Sequence, residues 1–165
     1  MLNRRRFLQA AALSAAATAT TGAFAPAYAQ RRILGTVIDY SAGVPSAAAV
    51  KAAGHMGAVR YVSLRRPGAN WMVGKPVTIE ETRDFAANGL ATASVYQFGR
   101  AETSDWHAGA AGAAKHAPQA IQLHRAAGGP SGKPIYVAID DNPSRAQYEN
   151  QIRPYLRAFQ TALSA

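Results

Sequence analysis

Pro134-Ile135-Tyr136-Val137-Ala138-Ile139-Asp140-Asp141 is the stretch on which the reading of the fold turns. It is entered through Gly132-Lys133 and left through Asn142-Pro143-Ser144, so turn formers bracket a short apolar run rich in strand-favouring residues. Such a run reads as a strand buried on both faces, of the kind that parallel α/β sheets contain. It ends in two carboxylates. Acidic side chains are costly inside a sheet, but at the carboxyl end of a parallel strand they face the crevice or barrel mouth where α/β ligand sites are built. Ile33-Leu34-Gly35-Thr36-Val37-Ile38-Asp39-Tyr40 has the same design and also reaches an aspartate. Asp39 and Asp140 are therefore expected to converge at one end of a sheet and to mark a carbohydrate-type site.

Between these strands the pattern repeats. Pro45-Ser46 opens an alanine-rich helix to about Ala53, with Gly54 as its stop, and Ala58–Ser63 reads as the second strand. Arg60 is unusual inside it and either snorkels to the rim or pairs with a carboxylate in the interior. The loop Leu64–Lys75 is rich in Arg, Pro, Gly and Trp and is placed over the mouth. Thr78-Ile79-Glu80-Glu81 forms a capping box, with Thr78 as N-cap and Glu81 reaching back, for a helix that ends at Asn88-Gly89. Leu90–Phe98 is the third strand. His107–Ala127 is mostly helix, interruptible at Pro118, and Arg145–Leu163 is an amphipathic helix that Pro154 should kink or split. Four successive strand-helix units imply an α/β fold with a parallel sheet and right-handed crossovers. Four units are half of an eight-fold barrel, which needs ~250 residues. The expectation is a TIM-barrel-like (β/α) repeat in which only the first four units are present, a half barrel truncated at the C-terminus.

The 165 residues, 48% of them hydrophobic, suffice for one domain with one core. Residues 1–29 read as a twin-arginine signal peptide: Arg4 and Arg5 form the pair, a weakly hydrophobic alanine-rich run follows, and Ala27-Tyr28-Ala29 predicts cleavage between Ala29 and Gln30. This makes the twin-arginine translocase a partner during export. The domain is then 30–165. Loss of Arg4, Arg5 and Arg6 lowers the formal charge from +9 to +6, which favours anionic surfaces in general. No basic block with interleaved aromatics follows the leader, so nucleic-acid binding is disfavoured. The run after the arginines lacks the ~20 strongly apolar residues of a span, and there is no cysteine to carry a lipid, so no stable membrane anchor is expected.

Taken together, Gly35–Asp39, Arg60-Tyr61, Lys75–Glu81, Gly89–Gln97 and Ile135–Asp141 resemble the glycoside-hydrolase-like domain catalogued as domain of unknown function 1906. That family includes twin-arginine-exported actinobacterial proteins and is distantly similar to the muramidases of glycoside hydrolase family 25. The resemblance implies a TIM-barrel-like fold, acidic residues at strand ends, and a role on peptidoglycan or other extracellular polysaccharide. Asp39 matches the aspartate closing strand one, and Asp140 the first acid of the strand-four motif. The muramidases place a glutamate two positions later, where this chain has Asn142, so the general acid is missing unless Asp141 replaces it.

Glycoside hydrolysis requires two carboxyl groups, ~5–5.5 Å apart for retention or ~6.5–9.5 Å for inversion. The catalytic candidates are Asp39, Asp140 and Asp141, with Arg60 tuning their ionisation. Tyr96 and Gln97 could hold sugar hydroxyls, or simply pack at the strand end. Trp71 and Trp106 either line a sugar groove or anchor their loops. No metal is expected, because His55, His107, His116 and His124 show no ligand spacing, and no cofactor, because no strand is followed by a Gly-rich phosphate loop. The leading reading is an exported glycoside-hydrolase-like protein acting on, or binding to, cell-wall or extracellular polysaccharide through strand-end carboxylates, with muramidase-like turnover left open. The alternatives are a catalytically inactive wall-binding module and a non-functional fragment of a full barrel.

Overall fold

The computed structural model describes residues 33–165. The signal segment, with Arg4, Arg5 and the Ala29–Gln30 cleavage point, lies outside the described residues. Four strands, β1 (Ile38–Asp39), β2 (Gly57–Tyr61), β3 (Ala91–Tyr96) and β4 (Ile135–Val137), form one sheet in the order β1-β2-β3-β4. Every pairing is parallel, with Ile38 opposite Ala58, Val59 opposite Ala93 and Tyr96 opposite Val137. Each strand thus neighbours the one before it in sequence. This is an α/β arrangement compatible with part of a barrel and unlike a doubly wound sheet, whose strand order reverses at a switch point.

The helices form where the caps direct. Ser46 Oγ accepts from Ala49 N at 3.3 Å and starts α1 (Ala47–Ala52), and Thr78 Oγ1 accepts from Glu81 N at 3.3 Å and starts α2 (Ile79–Ala87). Gly89, at φ +73°, takes the left-handed conformation that ends α2. The returning half of the expected capping box is not made, because the Glu81 carboxylate turns inward to Arg60. Two 3₁₀ turns (Ala101–Thr103 and Asp105–Ala108) precede α3 (Gly109–Ala126). α3 runs through Pro118 without a break: both Pro118 and Ala114, whose carbonyl loses its donor, are exposed, so water takes the partner's place. After β4, Ser144 and Gln147 form a capping box on the short helix α4 (Arg145–Gln147). A π-helical turn, Tyr148–Ile152, leads into α5 (Arg153–Leu163), where Pro154 occupies the first turn. The wide turn absorbs the hydrogen bond that Pro154 cannot donate, so the split expected at Pro154 takes this form.

Strand alternation divides the sheet into two faces. On the helix side, Ala58 and Leu90 pack with Ala47, Val50 and Phe85, while Val62, Tyr96 and Ile135 join Trp106, Tyr155 and Phe159 in a larger core built on α3 and α5. Val59, Tyr61, Ala93 and Tyr136 alternate onto the other face, which is less covered; Tyr136 is 58% exposed. The strands are shorter than the apolar runs suggested. β4 ends at Val137, so Asp140 and Asp141 lie in the turn beyond it rather than on the strand.

Candidate functional site

A polar cleft of about 210 Å³ opens at the carboxyl ends of the strands, bounded by the loop Leu64–Lys75, the end of β3 and the turn after β4. Its walls include Tyr61, Arg66, Trp71, Lys75, Gln97, Arg100 and Asp140. A larger and mostly apolar groove of about 380 Å³ lies toward the amino ends of β3 and β4, between α2 and Gly128–Pro134, and carries no carboxylate. Of the two, the smaller cleft is the one with a carboxylate, Asp140, in its wall.

Tyr61, at the end of β2, lines this cleft together with Asp140 and binds Asp39, which is not itself among the lining residues. Its hydroxyl lies 2.8 and 3.0 Å from the oxygens of Asp39, and the negative charges of both Asp39 and Asp140 act on it. Burial first, then the hydrogen bond to Asp39 and these charges, push the phenol's pKa well above its usual range, so Tyr61 is a lasting donor to Asp39. Asp140 is exposed at the rim, with its Oδ2 3.5 Å from Arg100 Nε. Both partners are more than half exposed, so water screens this pair and it contributes little to stability. Lys75 is buried; its Nζ donates to the Gln97 carbonyl at 2.6 Å and lies 4.2 Å from the centre of the Tyr61 ring. Burial lowers its pKa to about 8.

Trp71, 55% exposed, and Gln97 line the cleft, and the Gln97 backbone carbonyl also accepts from Ser63 Oγ at 2.7 Å. The other candidates lie elsewhere. Arg60 does not reach the cleft or its aspartates: it is fully buried, ion-paired with Glu81, and donates to the Tyr40 and Gly74 carbonyls. Its place on the helix-facing side of β2, opposite α2, dictates this partner. Tyr96 is also fully buried on that side, packed on His116 and Phe159 with its hydroxyl 3.3 Å from Gln119 Oε1, so it holds no ligand. Asp141 does not stand in for an acid at Asn142. Its carboxylate accepts from Ala101 N at 2.9 Å, from Trp106 Nε1 at 2.8 Å and from Ser104 Oγ, clamping the loop before α3. Burial opposes its charge, but these hydrogen bonds prevail and hold its pKa below the usual carboxylate range, the opposite of what a proton donor needs. Trp106 is the loop anchor of the two tryptophans.

Asp105 escaped the sequence reading. It is buried under the end of β3, accepting from Phe98 N at 2.7 Å and Gly99 N at 3.0 Å, with His116 Nδ1 3.9 Å away. Burial raises its pKa, against those hydrogen bonds and the charges of His116 and Lys75. The available signal was Gly99: a Cβ there would fall 1.7 Å from the Thr103 carbonyl oxygen, so glycine is what lets the chain fold back and bring Asp105 beneath the strand end. Among the described residues, no three His, Asp or Glu side chains converge as metal ligands, and no helix is long and apolar enough to cross a membrane.

A family model described as the Rv2525c-like, glycoside hydrolase-like domain matches residues 48–165. A Mycobacterium tuberculosis protein carrying the name "Putative peptidoglycan hydrolase Rv2525c" is 53% identical over 130 residues, which are 79% of this chain and 54% of the relative. This chain therefore spans about half of that relative's length. Two crystal structures of the Mycobacterium tuberculosis Tat-secreted protein Rv2525c, one in complex with L-tartrate and one with HEPES, match with a TM-score of 0.78 and 53% identity. Each match covers 79% of this chain, and 64% and 65% of the respective crystallised chains.

Proposed function

Because the chain belongs to the Rv2525c-like, glycoside hydrolase-like domain family, we propose that it is an exported envelope protein that grips polysaccharide, peptidoglycan foremost, in the cleft at the carboxyl ends of β1–β4. Asp39 and Asp140 are the carboxylates on which hydrolysis would turn. The four sequentially ordered strands are the first half of a TIM-barrel-like repeat, whose ligand sites lie at this end. The observation that carries the reading is Tyr61: one hydroxyl at the cleft wall holds Asp39 and stands within the electrostatic reach of Asp140. Asp39, oriented by that hydroxyl, serves as nucleophile or charge stabiliser. Asp140, exposed at the rim beside Arg100, serves as acid and base, and Trp71 offers a face on which a pyranose stacks. Export by the twin-arginine route accords with Arg4-Arg5 and with the Tat secretion of the solved relative.

One observation favours a second reading, a wall-binding module without turnover: Asp141 is committed to its loop and residue 142 is an amide. Sugar release from purified peptidoglycan, measured beside co-sedimentation with it, separates the two. A hydrolase loses at least about a hundredfold in rate in Asp140→Asn, since general acid-base catalysis contributes ~10²–10⁴. Equal background release by the wild type and the variant, with intact sedimentation, assigns the module. Failure of both sedimentation and release removes the polysaccharide reading.

A further inference from the structure

The cleft carries more positive charge than its own carboxylate balances. Asp140 is shared with Arg100 at 3.5 Å, which leaves Arg66 and Lys75. Among the described residues neither has a carboxylate oxygen within 4.0 Å, and no hydrogen bond uses the Arg66 guanidinium. The two cations also feel each other, for the charge of Arg66 disfavours protonation of Lys75. Asp39 and Asp105 attract Lys75 from farther away without pairing with it. Lys75 is buried and Arg66 half-buried, and like charges drawn out of water with no carboxylate to pair with are costly to hold together. Resting on the reading of the cleft as a glycan site, we propose that Arg66 and Lys75 form a subsite for an anionic substituent on the bound sugar, a carboxylate or a phosphate carried next to the ring.

The geometry suits that role. Lys75 is fixed in place, one donor spent on the Gln97 carbonyl and one side resting on the Tyr61 ring, so ordering it for a ligand costs little further entropy. Arg66 is half-buried in the same loop, Leu64–Lys75, and presents a planar fork with all its donors available, which matches a carboxylate or phosphate in two-pronged fashion. Trp71 lies on the same loop and shares the cleft wall. A sugar ring stacked there would carry its acidic arm toward the two cations. A neutral sugar would fill the same volume and leave both charges uncompensated.

The test compares ligands that differ only in charge, by calorimetry with the purified chain. The probes are the disaccharide of N-acetylglucosamine and N-acetylmuramic acid, its carboxyl methyl ester, and a glycerol phosphate oligomer for the phosphate source. The acid is expected to bind about tenfold or more tightly than its ester, the scale of one charge-assisted hydrogen bond. Arg66→Gln should bring that ratio below about threefold, since the fork is lost. An Arg66-dependent preference for the phosphate oligomer instead would also support the subsite and assign the anion to phosphate. Equal measurable binding of acid and ester, without phosphate binding, overturns the subsite but leaves the glycan reading standing. Absence of binding by all three, with peptidoglycan sedimentation also lost, overturns both.

Discussion

Replacing Glu81 by leucine is the sharpest probe of how this fold holds its site. Arg60 is fully buried, and its guanidinium is surrounded by the Glu81 carboxylate, the Tyr40 and Gly74 carbonyls and the Tyr40 ring, 3.7 Å away. Glu81→Leu keeps side-chain volume roughly constant but strands a buried cation and the Tyr40 hydroxyl, which donates to Glu81 at 2.6 Å. Breaking a buried pair from one side costs about 3–5 kcal/mol. Against a domain stability of roughly 5–15 kcal/mol, this is about a fifth of the total or more. With a urea dependence near 2 kcal/mol per molar, the unfolding midpoint should fall by roughly 2 M. The triple variant Arg60→Met, Glu81→Leu, Tyr40→Phe removes both charges and the Tyr40 hydroxyl together, leaves only the Tyr40 and Gly74 carbonyls without their donor, and should recover about half or more of the loss. Urea melts followed by tryptophan fluorescence measure both. A loss under about 1 kcal/mol in the single variant, or a triple variant as unstable as the single one, refutes the account of Arg60 as a strut whose charge must be met from within.

Asp141→Ala should cost about 1–3 kcal/mol and shift Trp106 emission to the red, since three donors lose their acceptor. Because the folded pKa of Asp141 is lowered, its stabilisation is present above the ordinary value of 3.8 and is lost as pH falls through the folded one; wild-type and variant urea midpoints should converge in acid. Lys75 has the opposite sign. Its folded pKa of about 8 lies below the ordinary 10.5, so the folded state sheds the proton first and its penalty, complete below pH 8, is relieved as pH rises. The urea midpoint of Lys75→Met relative to wild type should therefore decline between pH 8 and pH 10, and a flat difference would contradict the burial of that ammonium. Tyr96→Phe should change stability by less than about 1 kcal/mol, its hydroxyl having one long hydrogen bond, and should leave peptidoglycan sedimentation unaltered.

The frame was legible in the sequence because local signals agreed with one another. Thr78 caps its helix as its spacing implied, and the four apolar runs became four parallel strands in sequential order. What could not be read was which face each strand residue would take. The runs are apolar on both sides, so nothing in Leu90–Phe98 distinguishes Tyr96, turned to the helices, from its neighbour Gln97 at the cleft. Glu81 was obscured by a local motif: a glutamate three residues after a threonine cap has a sequence-near role, and the tertiary partner Arg60 outbid it. Asp105 left only the indirect mark of Gly99. Its partners are backbone N–H groups, which almost any residue type supplies.

The sheet order also dictates how this protein must come into being. Paired residues are separated by 20 positions between β1 and β2, 34 between β2 and β3, and 41 between β3 and β4, judged from Ile38 with Ala58, Val59 with Ala93 and Tyr96 with Val137. Each doubling of such a separation adds only about 0.6 kcal/mol of closure entropy. No strand has to wait for one made later before it finds its neighbour, so assembly can follow translation from the amino end. At every stage, however, the newest strand offers unmatched amides and carbonyls along one side, open to the correct neighbour or to a stray chain. That hazard ends for each strand only when its neighbour has closed on it, and the desolvation of Arg60 and Glu81 is completed when α2 packs on β2.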